Sequence, residues 1–207
     1  SEEPVFALEL KYAGETTESK LARIREYMKE CGSAKHILTT LDDICWILNI
    51  RGNDVEFFPL VLSYAVITMD SMELYINEKK LSAEIKEALA KDGVVLHPYN
   101  NIYEDVKKLE DGEVVLIDPG KLNYALYSNI PENVVKVEKR NPEELFKAMK
   151  NQVEIENIRK AQIKDSVAHV RFMKWLKENI GKQEITEISA SEKLDEFRVE
   201  MGNFIRP

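Results

Sequence analysis

Apolar and polar residues follow two periods along the first part of the chain, one typical of helices and the other of strands. Apolar residues recur at helical spacing from Leu21 to Cys31, which predicts an amphipathic helix that the following glycine ends. Residues 35–39 have the pattern of a short buried strand. Residues 60–68 and 72–76 are rich in β-branched and aromatic side chains and flank a polar turn, which predicts an antiparallel hairpin.

A second helix is predicted directly after the first strand, because Thr40 and Asp43 have the spacing of a capping box. Asp42 and Asp43 are neighbours on this helix, so their side chains should point about 100° apart. We therefore expect these carboxylates to cap the helix and not to converge on one ion. Residues 49–54 are predicted to be the turn that ends the helix.

The pattern then alternates regularly between helices and strands. Helices are predicted near residues 81–89, 102–109 and 122–129, and strands near residues 94–96, 114–117 and 134–137. Together these elements predict an α/β domain over residues 1–140, with a mixed sheet of about six strands covered by helices.

Near residue 140 the pattern changes to nearly continuous helix. Asn141 as cap and Pro142 at the first helical position mark the start, and residues 154–179 contain neither glycine nor proline. We therefore predict a second domain over residues 141–207. Its long helix has a broad apolar stripe that needs a large partner surface, and residues 203–207 lack a helix-ending pattern, so we expect a truncated domain.

Composition narrows the possible partners. Hydrophobic residues make up 44% of the chain and charged residues 32%, which is typical of a folded protein. The net charge of -8 argues against nucleic acid. No apolar stretch approaches the roughly 20 residues of a membrane span, and the first residues do not resemble a signal peptide. We expect a cytoplasmic protein without a membrane partner.

The sequence offers no catalytic or metal-binding set. His36, His97 and His169 lie far apart, and none has a second ligand at metal-site spacing. Asp118 follows a predicted strand, where α/β proteins often place functional carboxylates, but Pro119 and Gly120 favour a turn. An independent hydrolase would need a catalytic set that these residues do not form.

The loop over residues 49–54 is the most suggestive polar cluster. Arg51 offers a planar guanidinium that could bind a carboxylate, and Gly52 allows a sharp turn. An arginine–aspartate pair that staples the turn is the favoured alternative, because no nucleophile or base lies nearby in sequence. Arg51, Asn53 and Asp54 are the candidate site residues.

Two stretches resemble the cytosolic aminopeptidase P family, also called Xaa-Pro aminopeptidases. Residues 41–54, Ser63-Tyr64-Ala65 and His97-Pro98-Tyr99 are similar to the family's middle domain. Phe58 departs from this pattern, where an asparagine is expected, and the family's first domain has no counterpart. The second stretch resembles the opening helices of the family's catalytic domain, in Lys150-Asn151, Glu154, Arg159, Ala161, Lys164-Asp165, Val167-Ala168 and residues 186–190.

The resemblance implies a creatinase-type amino-terminal domain followed by the start of an α+β "pita-bread" domain. Such enzymes remove the first residue from peptides with proline second, using two divalent metals, usually manganese, whose ligands would follow this stretch. It implies a non-catalytic part that contributes to active-site access and oligomer contacts, with Arg51, Asn53 and Asp54 at the entrance or interface. The implied partners are the rest of the catalytic domain, a proline-containing peptide and further copies in a homo-oligomer.

A second hypothesis stays open at this point. The chain could be a stand-alone binding or interaction module that shares the creatinase fold and has no peptidase activity. The two hypotheses differ in whether the gene continues past Pro207 into a metal-binding region.

Overall fold

The computed structural model describes residues 2–202, so residues 203–207, part of the basis for expecting truncation, lie outside the described residues. The chain divides into two compact units, Ser1–Asn151 and Gln152–Pro207. The helix predicted to begin after Asn141 is present, and it belongs to the first unit. The domain boundary at residue 140 stays a prediction.

The first unit alternates strands and helices, as the sequence pattern predicts. Its elements are β1 (Phe6–Ala7), α1 (Leu10–Ala13), α2 (Thr17–Glu30), β2 (Lys35–Leu38), α3 (Leu41–Ile47), β3 (Ile50–Arg51), β4 (Ser63–Thr68), β5 (Met72–Ile76), α4 (Ala83–Lys91), β6 (Val94–His97), α5 (Ile102–Asp105), β7 (Val114–Ile117), α6 (Tyr124–Asn129), β8 (Val135–Glu138) and α7 (Pro142–Ala148).

Six of these strands form one mixed sheet in the order β6-β5-β4-β2-β7-β8. The pairs β2–β4 and β4–β5 are antiparallel, and the pairs β5–β6, β2–β7 and β7–β8 are parallel. The predicted α/β fold with a sheet of about six strands is confirmed.

Successive residues of the central strands point into two different apolar clusters. In β7, Leu116 packs into one cluster while Val115 and Ile117 pack into the other. Because side chains alternate across a strand, the sheet is buried on both faces. This explains why the sequence of β7 is a continuous apolar run.

The turn predicted over residues 49–54 contains a short strand. β3 pairs with β1 in a separate two-stranded sheet, with Phe6 opposite Arg51 and Ala7 opposite Ile50. The prediction of a simple turn is wrong because the partner strand lies more than forty residues earlier in the chain, and local patterns do not reveal distant pairing.

The capping box predicted for α3 is also wrong, although Thr40 does occupy the cap position. The Thr40 side chain accepts no backbone hydrogen bond, and its hydroxyl instead donates to Asp43 Oδ2 at 2.5 Å. The same hydroxyl accepts from Asn141 Nδ2 at 3.3 Å. The hydroxyl therefore binds two side chains and no backbone amide of α3.

The second unit contains two helices, α8 (Gln152–Asn179) and α9 (Glu187–Glu200). Thr186 caps α9 as predicted: its hydroxyl accepts from Ser189 N at 3.1 Å, and Ser189 Oγ accepts from Thr186 N at 2.9 Å. Ala168 is the one buried residue of α8. None of the helices described, here or in the first unit, is long and apolar enough to cross a membrane.

Candidate functional site

The candidate loop starts from a fixed backbone position at Asn49. This residue has a left-handed backbone (φ 51°), which asparagine tolerates better than most residues. Its side chain holds the position, because Nδ2 donates to Glu15 O at 2.9 Å and Oδ1 accepts from the buried Lys20 ammonium at 2.6 Å. The same ammonium donates to Trp46 O at 2.7 Å. The loop therefore leaves α3 in a defined direction.

Arg51 is half-buried, and its guanidinium binds backbone carbonyls of the same segment. One terminal nitrogen donates to Cys45 O at 2.9 Å and to Ile50 O at 2.8 Å. These contacts link the end of α3 to β3. In this chain the arginine thus contributes to the loop's own structure.

Asp54 lies at the base of the loop, and its side chain has no exposed surface. Its Oδ2 accepts from Leu62 N at 2.7 Å and forms an ion pair with Lys80, whose side chain is 2% exposed. The Asp54 amide donates to Leu60 O at 3.1 Å. The sequence predicts a stapled turn as the favoured alternative, and the staple contains Lys80, which sequence reasoning missed.

Gly52 allows the two sides of the loop base to approach each other closely. A Cβ atom at this position would lie 2.9 Å from Val61 Cγ2, too close for an ordinary contact. The glycine is therefore required by packing against Val61. Together with the Asp54 contacts, this close approach makes the base of the loop rigid.

The tip of the loop exposes two phenylalanines. Phe57 is 69% exposed and Phe58 61% exposed. Phe57 also has a left-handed backbone (φ 69°), which is unusual for a bulky residue, and Phe58 N donates to Val55 O at 3.2 Å. Such strain persists only where the surrounding structure holds it.

The three predicted site residues thus share one loop but differ in environment. Arg51 is half-buried, Asn53 is exposed and the Asp54 carboxylate is buried. The exposed pair Phe57 and Phe58 was missed as a functional candidate. The signal was present in the sequence, because two phenylalanines followed by proline are unusual in a polar loop.

A buried ion pair connects the sheet to α7. His36 Nδ1 donates to Leu116 O at 3.0 Å, and His36 Nε2 lies 3.3 Å from Glu143 Oε2, with both side chains fully buried. Burial by itself lowers the pKa of His36, but the Glu143 carboxylate outweighs it, so the pKa is raised above the ordinary histidine value. His36 is therefore part of a structural contact.

Lys147 on α7 binds both carboxylates at the start of α3. Its ammonium lies 2.7 Å from Asp43 Oδ1 and also pairs with Asp42. The expectation that these carboxylates do not converge on one ion is wrong, because the long lysine side chain from another helix reaches between them. Burial alone raises the pKa of Asp42, but Lys147 lowers it to below the ordinary value.

Asp118 has the turn role that its neighbours predict. Its Oδ1 accepts from Gly120 N at 2.9 Å, and its backbone oxygen accepts from Leu122 N at 2.8 Å. Its Oδ2 also accepts from Asn141 N at 3.1 Å, which fixes the start of α7. The carboxylate is thus occupied by structural contacts.

The remaining histidines do not form a metal site. His97 Nε2 lies 2.6 Å from Glu73 Oε2, and His169 is exposed on α8. Between residues 2 and 202, no group of three or more histidine, cysteine, aspartate or glutamate side chains is arranged to hold a metal ion. The described residues therefore do not fit a two-metal centre.

Comparison with known proteins gives the family. The model of the creatinase/prolidase N-terminal domain family matches residues 1–154. Xaa-Pro aminopeptidase 1 of Dictyostelium discoideum is 35% identical over 97% of this chain, and the match covers 32% of that protein. The chain spans about a third of the length of such relatives.

A solved structure shows the same fold over nearly the whole chain. The X-prolyl aminopeptidase of Caenorhabditis elegans, described as a cytosolic enzyme with a di-nuclear active site, superimposes with a TM-score of 0.90. The identity is 30%, and the match covers 99% of this chain and 34% of that one. With the family match and the shared sheet topology, this places the chain in the creatinase/prolidase N-terminal domain family.

Proposed function

We propose that this chain is part of a longer, cytoplasmic Xaa-Pro aminopeptidase. In this proposal, residues 1–140 are a non-catalytic amino-terminal domain and residues 141–207 begin the pita-bread catalytic domain. The whole enzyme removes the first residue from peptides with proline second. The names of the relatives and the one-third coverage support the proposal.

The observation that carries the proposal is the apolar surface of the second unit. Ile163 and Val170 on α8 are 65% and 68% exposed, and Ile188 on α9 is 73% exposed. A helix with a broad apolar stripe needs a surface that covers it. Because relatives are about three times as long as this chain, the rest of the catalytic domain is the natural partner.

The metal centre would lie outside this chain. The parent enzyme is proposed to hold two divalent cations, most simply manganese, which would activate a water molecule for attack on the peptide bond. The described histidines and carboxylates do not fit such a centre. No catalytic step is therefore assigned to a residue of this chain.

The test is to express the complete reading frame beside the 207-residue chain and measure release of the first residue from Xaa-Pro peptides with added manganese. The longer polypeptide is expected to release the amino acid, and the 207-residue chain is not. Release by the 207-residue chain alone would contradict the proposal. A reading frame that stops at Pro207 would favour the stand-alone binding module.

For the loop we propose a contact at the active-site entrance or between subunits of a homo-oligomer. Asn53, Phe57 and Phe58 would supply the contacting surface because they are exposed, while Arg51 and Asp54 hold the loop in place. The exposed side chains are thus assigned to the contact, and the buried or half-buried ones to the support of the loop. It explains how a strained, apolar tip can be presented on a rigid base.

The loop proposal is tested in the longer enzyme with Asn53→Ala and the double change Phe57→Ser and Phe58→Ser. These variants should alter kcat/KM or subunit assembly and leave the melting temperature nearly unchanged. Arg51→Ala should instead lower the melting temperature. If the exposed-residue variants retain normal turnover and assembly, the loop has no such role.

A further inference from the structure

An open cavity lies beside the candidate loop, at one end of the six-stranded sheet. Its volume is about 620 Å³, which is in the range of small-ligand sites. Ile76, the last residue of β5, and Pro98, directly after β6, both line it. Because β5 and β6 are parallel, the cavity lies at their carboxyl ends, where open α/β sheets commonly bind ligands.

Both charged residues in the cavity lining are already paired. Lys80 forms the buried ion pair with Asp54, and Glu78 pairs with Lys86 at 3.0 Å. A phosphate or a free carboxylate would have to compete with Asp54 for the lysine. The electrostatics of the cavity therefore favour an uncharged ligand.

Two amide side chains in the lining have unused hydrogen-bonding capacity. Asn100 and Asn101 are exposed, and their side-chain amides make no hydrogen bond to any other residue that the structure describes. An asparagine amide both donates and accepts. A peptide backbone presents the matching acceptor and donor groups, so these amides suit the main chain of a bound peptide.

A fixed aromatic ring forms another part of the wall. The ring of Tyr99 lies 5.0 Å from the ring of Tyr64, centroid to centroid. Tyr64 is held in turn by a hydrogen bond between its hydroxyl and that of Tyr103, at 3.1 Å. Leu62 and Pro98 add apolar surface beside Tyr99. Pre-organised aromatic surface next to polar side chains is the usual docking site of proline-containing segments in the polyproline II conformation.

We propose that this cavity binds an uncharged, proline-containing peptide segment in an extended conformation. The ring of Tyr99 packs against the proline, and the amides of Asn100 and Asn101 bind the peptide main chain. The inference deepens the proposed function and rests on it for the choice of peptide class. The cavity binds the segment without cleaving it, because its lining supplies no nucleophile paired with a base.

The test uses the 207-residue chain in a two-dimensional amide NMR titration. The probes are a blocked Ala-Pro-Pro-Ala peptide and its all-alanine counterpart. We expect saturable shifts at the backbone amides of Asn100 and Asn101, with the proline peptide binding about three to ten times more tightly. Absence of saturable shifts there, or equal affinity for both peptides, would overturn the inference.

Matched variants locate the binding. Tyr99→Ala should weaken binding of the proline peptide by about three- to tenfold, whereas Tyr99→Phe keeps the ring and should bind normally. Tyr124→Ala, which removes a tyrosine that is 83% exposed elsewhere in the first unit, is the control. If folded Tyr99→Ala binds like the unmodified chain, the cavity is not the site.

Asn101→Ala tests the polar half of the proposal and should weaken binding of both peptides. Its control is Asn133→Ala, another exposed asparagine of the first unit. An equal effect of the two changes would overturn the assigned role of Asn101. Because these experiments measure binding by the 207-residue chain, their failure is distinguishable from a failure of the longer polypeptide to cleave peptides.

Discussion

The two units of this chain differ in how far their apolar side chains are covered and their ion pairs are buried. In the first unit, the sheet is covered on both faces, and buried charges such as Lys80 and Asp43 have partners of opposite charge. In the second unit, apolar side chains such as Ile163 and Val170 are exposed, and the ion pair between Arg198 and Asp165 lies near the surface. The first unit therefore has its own covered core, with exposed apolar side chains such as Phe57 and Phe58 outside it, whereas the two helices of the second unit leave an apolar face exposed.

This difference separates two kinds of evidence about function. A unit with a covered core and paired buried charges offers function mainly at its exposed loops and cavities. A unit with a broad exposed apolar face instead indicates a missing partner. The comparison predicts large effects of single substitutions in the first unit and small effects in the second.

The largest effect should come from breaking the buried pair at the loop base. Lys80→Met keeps the length of the side chain but leaves the Asp54 carboxylate buried without its ammonium partner. We expect a loss of about 3–5 kcal/mol in the free energy of unfolding, measured by urea denaturation. The control is Lys79→Met, because Lys79 is 75% exposed and pairs with Glu2, which is 66% exposed.

The control change should cost less than about 1 kcal/mol, since surface pairs contribute little. Equal losses in Lys80→Met and Lys79→Met would show that burial of the pair does not set its contribution. The expectation that substitutions in the first unit have larger effects than those in the second would then not be supported.

The sequence predicts the part of the fold that depends on local patterns. The strand Val114–Ile117 was predicted with its observed bounds, because a strand buried on both faces is a continuous apolar run with polar ends. The Thr186 cap and the Asp118 turn were also correct. The cap and the turn depend on partners within a few residues, and the strand is recognisable from its own apolar run.

Most errors arose where the partner is distant along the chain, although the capping box predicted at Thr40 failed within one helical turn. The pairing of β3 with β1, the Lys147 contact with Asp42 and the Lys80 contact with Asp54 all join segments that no local period connects. The cavity beside Tyr99 is missed for the same reason, because its lining comes from three separate segments. Resemblance to a family placed the loop, but it could not say which of its side chains are exposed.

A second, smaller effect should depend on pH and comes from His36. Because the folded-state pKa of His36 is raised, protonation of this imidazole stabilises the fold fully below the ordinary pKa of about 6.5. That stability is lost as pH rises through the raised folded-state pKa. We expect His36→Gln to reduce the free energy of unfolding by about 2–3 kcal/mol at pH 6, and by less at higher pH.

The measurement is a series of urea denaturation curves from about pH 6 to about pH 9, a range that begins near the ordinary pKa of histidine and extends above it. His169→Gln is the matched control, because His169 is exposed on α8. The stability of His169→Gln at each pH is the baseline with which the loss in His36→Gln is compared. A pH-independent loss in His36→Gln would show that the contact with Glu143 acts by packing alone.

The smallest effect should come from a substitution on α8 in the second unit, where the 207-residue chain can be compared with the longer polypeptide. Val170 is 68% exposed, so Val170→Ser should change the free energy of unfolding of the 207-residue chain by less than about 0.5 kcal/mol. In the longer polypeptide the same change should cost about 1–3 kcal/mol, because the proposed partner surface buries the valine. Lys174→Ser, on the same helix at a side chain 75% exposed, should have little effect in either protein. If Val170→Ser is equally harmless in both, the missing part of the catalytic domain does not cover this face of α8.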